Sequence, residues 1–311
     1  MVAKIKNRNS FGARVRKDFF RNWTLYMLVA PVIIFFFMFA YMPMYGVIIA
    51  FQNFRPAIGI GGSDWVGFEH FIRFFQGPFF VRTLRNTLIL NVQLLFWGFP
   101  APIILALLMN EVKNKLFKRS VQTITYMPFF ISTVVVVGMI TEFTISTGMI
   151  NDIIVFFGGS RRNLLAAPEL FRRIFVTSQI WQTAGWGTII YLAALSSIDE
   201  QLYEAAMIDG AGRFRRLISI TLPGIMPTIV ILLILRMGSM MNIGFEQIIL
   251  MQTPITFETS DVISTYVYRV GLLGANFSFA TAVGLFNSVI NFILIIAANA
   301  ISRRVNETSL W

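Results

Sequence analysis

The chain has 311 residues, of which 56% are hydrophobic and 13% charged, and its mean hydropathy is +0.69. This balance is too apolar for a soluble domain and indicates an integral membrane protein. The formal net charge of +11 comes from short basic clusters beside apolar runs, which is typical of membrane topology signals rather than of nucleic-acid binding. With no cysteine and one histidine, His70, the sequence predicts neither thiol chemistry nor a metal site.

Six segments are long and apolar enough to span a bilayer, which takes about 20 mainly apolar residues. The first is too long for a signal peptide and lacks a small-residue cleavage pattern, so we expect it to remain as an anchor. The sequence therefore predicts an all-α integral membrane protein with six transmembrane helices. The predicted spans run from Leu25 to Ala50, Leu84 to Met109, Val121 to Thr147, Ile174 to Leu195, Gly224 to Leu250 and Phe277 to Ile301.

Lysine and arginine determine the predicted orientation, because they concentrate in cytoplasmic segments. Basic clusters lie at residues 4–21, 113–119, 213–216 and 303–304. All four fall on one side of a six-span topology, so both termini and the loop between the fourth and fifth spans are expected to be cytoplasmic. The segment 148–173 is the exception, because it is basic and is nevertheless expected outside.

The loop between the fourth and fifth spans has the features of a docking element. Ser197 and Glu200 have the spacing of a capping box, which predicts the start of a short helix. Small residues follow at helical spacing and would present a flat face to another protein. Gly210 and Gly212 permit a turn into a second short helix, and Pro223 stands where the next membrane helix can begin. The sequence thus predicts a helix-turn-helix loop at the base of the fifth span.

Polar residues inside the predicted spans are expensive in lipid and should face the protein interior or a wet cavity. On the fifth span, at about 100° per residue, Asn242, Glu246 and Gln247 fall on the same side as Arg236. We expect these side chains, with others on the third and fourth spans, to lie in the outer half of the membrane. The predicted substrate pathway comprises Glu142, Gln179, Trp181, Gln182, Arg236, Asn242, Glu246 and Gln247.

Several of these side chains have alternative roles. Arg236 either contacts substrate or pairs with neighbouring helices, and Trp181 either contacts substrate or belongs to an interfacial aromatic belt. A lining that mixes amides, carboxylates and an aromatic platform suits a sugar, which presents hydroxyls at the ring edge and C–H groups on the ring face. On the sixth span, Asn287, Ser288 and Asn291 are expected to bind neighbouring helices or a partner subunit.

One motif in the loop resembles a known family. Glu204-Ala205-Ala206, Gly210 and Ile220-Thr221-Leu222-Pro223 have the spacing of the EAA loop of the membrane subunits of binding-protein-dependent ABC importers. Residues 85 to 300 resemble the permease core of these importers. The stretch from Tyr41 to Gly67 resembles the carbohydrate subfamily that handles complex oligosaccharides such as pectin- or alginate-derived chains.

The resemblance implies a permease in a bacterial plasma (inner) membrane, assembled with a second homologous permease, two cytoplasmic ATPase subunits and an extracellular solute-binding protein. The implied cargo is a complex oligosaccharide whose charge stays open. The chain has no Gly-x-x-x-x-Gly-Lys-Ser/Thr loop and no catalytic constellation, so we expect it not to be an enzyme and to bind no cofactor, with ATP used by partner subunits. The expected ATPase-coupling residues are Glu204, Ala205, Ala206, Asp209, Gly210, Gly212, Leu222 and Pro223.

A second class of function remains open, namely an ion-coupled secondary transporter or channel that uses Glu142, Arg236 and Glu246 as ion or proton sites. Such a protein would need no ATP for uptake. The glycine- and aromatic-rich loop from Asn53 to Arg82 is either a docking scaffold for the binding protein or ordinary loop packing. The expected organisation is a basic cytoplasmic segment at 1–22, the first transmembrane helix and external loop at 23–84, the five-helix permease core at 85–302 with the coupling loop at 197–223, and a cytoplasmic tail at 303–311.

Overall fold

The computed structural model describes residues 17–306, and these residues are almost entirely helical. They form two compact units that divide after Gly67. Most of the predicted N-terminal segment 1–22 and of the predicted tail 303–311 lies outside the described residues. The expected all-α fold is confirmed.

The first unit contains a long apolar helix followed by a small hairpin. Helix α1 (Trp23–Phe36) has no buried residue, as expected for a helix that is apolar all round and suited to lipid. Helical structure continues to Phe51, and a short antiparallel pair of strands follows, in which Gln52 pairs with Trp65. The remaining elements are the π-helical turn Phe37–Tyr41, α2 (Met42–Met44), the 3-10 helix Tyr45–Phe51, β1 (Gln52–Asn53), α3 (Gly59–Gly62) and β2 (Asp64–Trp65).

The second unit is a helical bundle with several local distortions. A π-helical turn, Leu94–Gly98, joins α5 to α6, and another, Leu217–Thr221, joins α12 to α13. In chain order the helices are α4 (Glu69–Phe75), α5 (Phe80–Gln93), α6 (Pro100–Glu111), α7 (Lys115–Tyr126), α8 (Thr133–Thr144), α9 (Met149–Phe156), α10 (Pro168–Ser196), α11 (Glu200–Ile208), α12 (Arg213–Arg216), α13 (Leu222–Gly238), α14 (Phe245–Met251), α15 (Phe257–Ser260), α16 (Ile263–Val267) and α17 (Phe277–Asn306).

The number of apolar spans differs from the predicted six. The predicted fourth span, Ile174 to Leu195, lies on α10, which has 29 residues and is long enough to cross a membrane. It is less apolar than the others because amides, hydroxyls and glycines interrupt it, and it packs against α5, α6, α7, α13 and α15. Among the described residues, five helical segments are both long and apolar enough to cross: Trp23–Phe51, Phe80–Glu111, Thr133–Phe156, Arg213–Gly238 and Phe277–Arg304.

Two predicted spans also have the wrong bounds. The span from Val121 to Thr147 is divided, because α7 ends at Tyr126 and α8 begins only after Ser132, whose side chain accepts from the Val135 N–H. The span from Gly224 to Leu250 is divided as well: α13 ends at Gly238, residues 239–244 are not helical, and α14 follows. A helical wheel drawn across either break assigns side chains to the wrong face.

Helix α10 packs closely against its neighbours in the interior of the bundle. A Cβ added at Gly185 would lie 1.9 Å from the carbonyl oxygen of Thr125, so α10 and α7 meet backbone to backbone. A buried apolar cluster that includes Leu90, Phe175 and Ile248 joins α5, α10 and α14. The short helix after the break is therefore held against α10.

Candidate functional site

The first candidate surface is the hairpin formed by α11 and α12. Asp199 caps α11, because its Oδ1 accepts a hydrogen bond from the Gln201 N–H at 2.9 Å. The predicted capping box of Ser197 and Glu200 is wrong. The Ser197 hydroxyl instead donates to the carbonyl oxygen of Ala194 at 2.7 Å and closes the end of α10.

The turn between the two short helices requires a glycine. Gly210 has φ of +75°, in the left-handed region that side chains disfavour. The Ala211 N–H donates to the Ala206 carbonyl at 2.8 Å and closes the end of α11. Gly212 then precedes α12. The predicted helix-turn-helix is therefore present.

The second short helix continues without a break into a membrane helix. Arg213–Gly238 form one helical segment, so the prediction that this helix begins at Pro223 is wrong. The π-helical turn Leu217–Thr221 ends two residues before Pro223, and its wider spacing accommodates a residue that cannot donate a backbone hydrogen bond. The Tyr203 hydroxyl lies 3.0 Å from Thr221 Oγ1 and ties α11 to the same point. The hairpin is thus joined to α13 by a continuous helix and by this side-chain contact.

The hairpin also exposes an apolar surface. Leu202, Met207, Ile208 and Phe214 are 53%, 51%, 87% and 74% exposed. Clustered exposed apolar side chains mark interaction sites. Of the predicted coupling residues, Ala206 and Leu222 are half-buried, whereas Glu204, Ala205, Asp209, Gly210, Gly212 and Pro223 are exposed.

A cavity of about 320 Å³ lies where α6, α10 and α13 meet. Trp186 of α10 stacks on Phe129, with ring centroids 4.6 Å apart and planes 3° apart, and both rings line the cavity. Gln179 and Arg236 line it as well. Trp186 and Phe129 are not among the predicted pathway residues. The available signal was spacing, because Trp186 follows Gln179 by two helical turns on one face of α10.

Arg236 brings a positive charge to this cavity. The side chain is half-buried, and no carboxylate of the described residues lies within 4.0 Å of its guanidinium group. A charge withdrawn from water is costly unless a counter-charge or strong hydrogen bonds compensate it. Pairing of Arg236 with an acidic residue on a neighbouring helix is not observed within the described part of the chain.

The polar face expected on the fifth span does not exist. Because residues 239–244 interrupt the helix, Asn242, Glu246 and Gln247 do not continue the face that carries Arg236. Asn242 and Glu246 are exposed, whereas Gln247 is buried at 1% exposure. Gly244, with φ of −14° and ψ of 62°, precedes α14 and adopts a backbone geometry that a glycine tolerates.

Two asparagines of α17 form hydrogen bonds with the interrupted segment. Asn291 Oδ1 accepts from the Met241 N–H at 2.8 Å, and Asn287 Nδ2 donates to Asn242 Oδ1 at 2.8 Å. Irregular backbone at membrane depth is tolerated where protein groups satisfy it or where it lines a cavity. Asn287 and Asn291 therefore bind a neighbouring segment, as expected, while the Ser288 hydroxyl donates to its own helix.

Amide side chains join α14 to α10. Gln247 Nε2 donates to Ser178 Oγ at 2.7 Å, and Gln179 Nε2 donates to Gln247 Oε1. Gln247 thus joins α14 to α10. Its partner Gln179 also lines the cavity that contains Arg236. Removing the Gln247 amide would break both of these bonds between α14 and α10.

The other predicted pathway residues lie elsewhere. Glu142 is exposed on α8, and Gln182 Nε2 donates to the Ile131 carbonyl at 3.3 Å. Trp181 lines a larger, mainly apolar cavity of about 760 Å³ between α8, α9 and α10. The structure therefore brings Gln179 and Arg236 to one cavity and not the whole predicted set. Across residues 17–306, no three His, Asp or Glu side chains are placed to hold a metal ion.

Comparison with known proteins places the chain in a family. Residues 98–307 match the family described as binding-protein-dependent transport system inner membrane component. The chain is 46% identical over 303 residues to Protein LplB of Bacillus subtilis (strain 168), covering 97% of this chain and 94% of the relative. It is 46% identical over 288 residues to the polygalacturonan/rhamnogalacturonan transport system permease protein YteP of the same strain, covering 92% and 90%.

Two solved structures have the same fold. The crystal structure of a bacterial ABC transporter involved in the import of the acidic polysaccharide alginate matches with a TM-score of 0.88 and 46% identity, over 94% of this chain and 99% of that chain. A bacterial alginate ABC transporter in complex with an alginate pentasaccharide-bound periplasmic protein matches with a TM-score of 0.88 and 45% identity, over 96% and 100%.

Apolar helices around a cavity that contains Gln179 and Arg236, with an exposed helical hairpin leading into one of the helices, define a multi-pass membrane permease. Within this class, the chain belongs to the family of binding-protein-dependent transport system inner membrane components. It is the membrane-spanning permease subunit of an ABC importer. Subunits of this family are not themselves enzymes.

Proposed function

We propose that this permease and a second permease of the same family form the translocation pathway for an acidic oligosaccharide in a bacterial plasma membrane. An extracellular solute-binding protein delivers the sugar, and two cytoplasmic ATPase subunits dock on the α11–α12 hairpins. ATP is used by those subunits, and this chain binds no cofactor. The similarity to YteP and to the alginate transporter supports an acidic cargo.

The observation that carries this proposal is that Arg236 and the stacked rings of Trp186 and Phe129 line the same cavity. The stacked rings of Trp186 and Phe129 offer a platform for the C–H face of a sugar ring. Gln179 offers an amide for hydroxyl groups. The guanidinium of Arg236 has five N–H donors in a geometry that matches a carboxylate, and a sugar acid would supply the missing counter-charge.

Changing Arg236 to Gln tests the proposed cargo. We expect uptake of an acidic oligosaccharide to fall roughly 10- to 100-fold, because a charged hydrogen bond contributes about 1.5–3 kcal/mol. Uptake of the same oligosaccharide with its carboxyl groups reduced to alcohols should be nearly unchanged. Arg236→Lys should retain part of the acidic uptake. The measurement is uptake of each radiolabelled sugar into proteoliposomes that contain the complete importer.

The matched control for this experiment is Arg119→Gln, which removes an exposed positive charge from α7, outside the cavity. It should leave uptake of both sugars unchanged. Equal losses for acidic and reduced sugars in Arg236→Gln would contradict the role in charge recognition. Failure of Arg236→Gln to assemble, with normal assembly and normal uptake in Arg236→Lys, would assign the residue to helix packing.

We propose that α10 crosses the membrane as the central helix of the bundle and that both termini are cytoplasmic. Its 29 residues extend about 43 Å, enough to cross a bilayer, and its polar groups meet neighbouring helices. A cysteine at Gly61 should then react with an impermeant thiol reagent in intact cells, and one at Ala211 only after lysis. The chain has no native cysteine, so we expect the reagent not to label the parent protein. Labelling of both sites from outside would show that α10 does not cross.

A further inference from the structure

A buried carboxylate holds two arginines together near the start of α5. Asp261 is fully buried, and its Oδ2 accepts from Arg82 Nη2 at 2.7 Å and from Arg269 Nη2 at 2.8 Å. Asn86 Nδ2 donates to the backbone carbonyls of Asp261 and Glu258, both at 3.0 Å. These bonds fix α5 against the segment that contains α15 and α16.

Two more arginines lie beside this unit without carboxylate partners. Arg172 of α10 donates to Asn86 Oδ1 at 2.8 Å and to the Thr259 carbonyl at 3.3 Å, and both acceptors are neutral. Arg85, one turn beyond Arg82 on α5, is exposed. Within the part of the chain that the structure describes, neither Arg85 nor Arg172 has a carboxylate within 4.0 Å.

Two guanidinium groups of this unit also have unused hydrogen-bond donors. Arg82 Nε and Arg269 Nη1 are buried and have no hydrogen-bond acceptor among residues 17–306. Asp261 serves two guanidinium groups, and the exposed Glu258 lies near enough to Arg172 to offset part of its charge, so the four arginines exceed these two carboxylates by two positive charges. In the proposed orientation this cluster lies on the outer side of the membrane, where arginines are not favoured as topology signals. Such a cluster attracts an anion from outside.

The cluster is aligned with the cavity. Arg172, Gln179 and Trp186 follow one another at intervals of seven residues, so they share one face of the uninterrupted helix α10. Each interval corresponds to about 10.5 Å along the helix axis. A flexible chain leaving the cavity past Gln179 would reach Arg172 after about that distance. This alignment favours the transported chain over a docked protein as the anion.

We propose that Arg85 and Arg172 form an outer subsite that binds a second carboxylate of the oligosaccharide before its chain reaches the cavity. This inference rests on the proposed function, because it requires an acidic cargo. Arg85 and Arg172 lie close enough to interact electrostatically, and planar guanidinium groups suit carboxylates, so one anion could be bound by both. Asp261 acts through Arg82 and Arg269, as a positioning residue that keeps the cluster together.

Arg85→Gln is the test, because Arg85 is exposed and its side chain makes no hydrogen bond to the described part of the chain. We expect the concentration of sugar-loaded binding protein that gives half-maximal uptake to rise about tenfold, equivalent to about 1.4 kcal/mol, with the maximal rate unchanged. Arg85→Lys should restore most of the loss. Stimulation of ATP hydrolysis by unloaded binding protein should not change. Arg173→Gln is the matched control, since it removes an exposed charge next to Arg172 from another face of α10.

Two outcomes would overturn the subsite. One is unchanged half-maximal uptake in Arg85→Gln. The other is an equal loss of ATPase stimulation by unloaded binding protein, which would assign Arg85 to protein docking. The proposed function can fail independently of the subsite. A parent importer that transports only the carboxyl-reduced sugar would contradict both the proposed function and the subsite. Loss of acidic uptake in Arg236→Gln, with unchanged half-maximal uptake in Arg85→Gln, would contradict only the subsite.

Discussion

Changing Gly210 to Val should lower sugar transported per ATP hydrolysed at least about tenfold, or release the ATPase subunits altogether. Gly210 has φ of +75°, and a β-branched residue there costs at least about 1–2 kcal/mol. The turn would relax to another conformation and displace the exposed Ile208 and Phe214. Since α12 continues into α13, this displacement would extend to the membrane helix. Co-purification of the ATPase subunits and the ratio of transport to hydrolysis measure the effect.

The chain offers a matched control for this experiment two residues further on. Gly212 has φ of −69°, and an added Cβ there would meet no atom within 4 Å, so Gly212→Ala should behave as the parent. Glu204→Lys reverses a charge on the exposed surface of α11 without backbone strain and should also weaken ATPase association. Normal ATPase recruitment and normal coupling in both Gly210→Val and Glu204→Lys would contradict the proposed docking role of the hairpin.

Features with a local cause were predictable from the sequence. The apolar segments at Trp23–Phe51 and Phe277–Arg304 follow from composition alone, because lipid selects length and hydrophobicity. The turn at Gly210 follows from a residue type with a special backbone requirement. The start of α11 was predicted at nearly the right position but with the wrong cap, because Asp199 and not Ser197 caps this helix. Neighbouring cap residues compete, and geometry decides between them.

Features with a distant cause were not predictable. The break at residues 239–244 is supported by Asn287 and Asn291, which are about 50 positions away in the chain. The helical wheel of the fifth span failed for this reason. α10 carries more polar groups than an isolated span allows, because its neighbours cover them. The hydropathy of one segment reflects its fit to lipid and carries no information about the helices that pack against it.

The cavity and the arginine cluster show the same limit. Gln179 and Arg236 were expected in the pathway because polar residues in apolar segments are costly. The stacking of Trp186 on Phe129 joins two separate segments, and no local pattern predicts it. Asp261 lies outside every predicted span, so its full burial between Arg82 and Arg269 had no signal in hydropathy.

The most direct test of the account is uptake of an acidic oligosaccharide into proteoliposomes that contain this permease, its partner permease and both ATPase subunits. We expect the sugar to accumulate only when ATP is supplied on the side of the ATPase subunits and sugar-loaded binding protein on the outer side. Omitting either should lower uptake at least about 100-fold. A proton or sodium gradient should not replace ATP, because the chain acts through its partners. Uptake driven by such a gradient with no ATP, and lost on changing Glu142 or Glu246 to Gln, would contradict the account and establish an ion-coupled transporter instead.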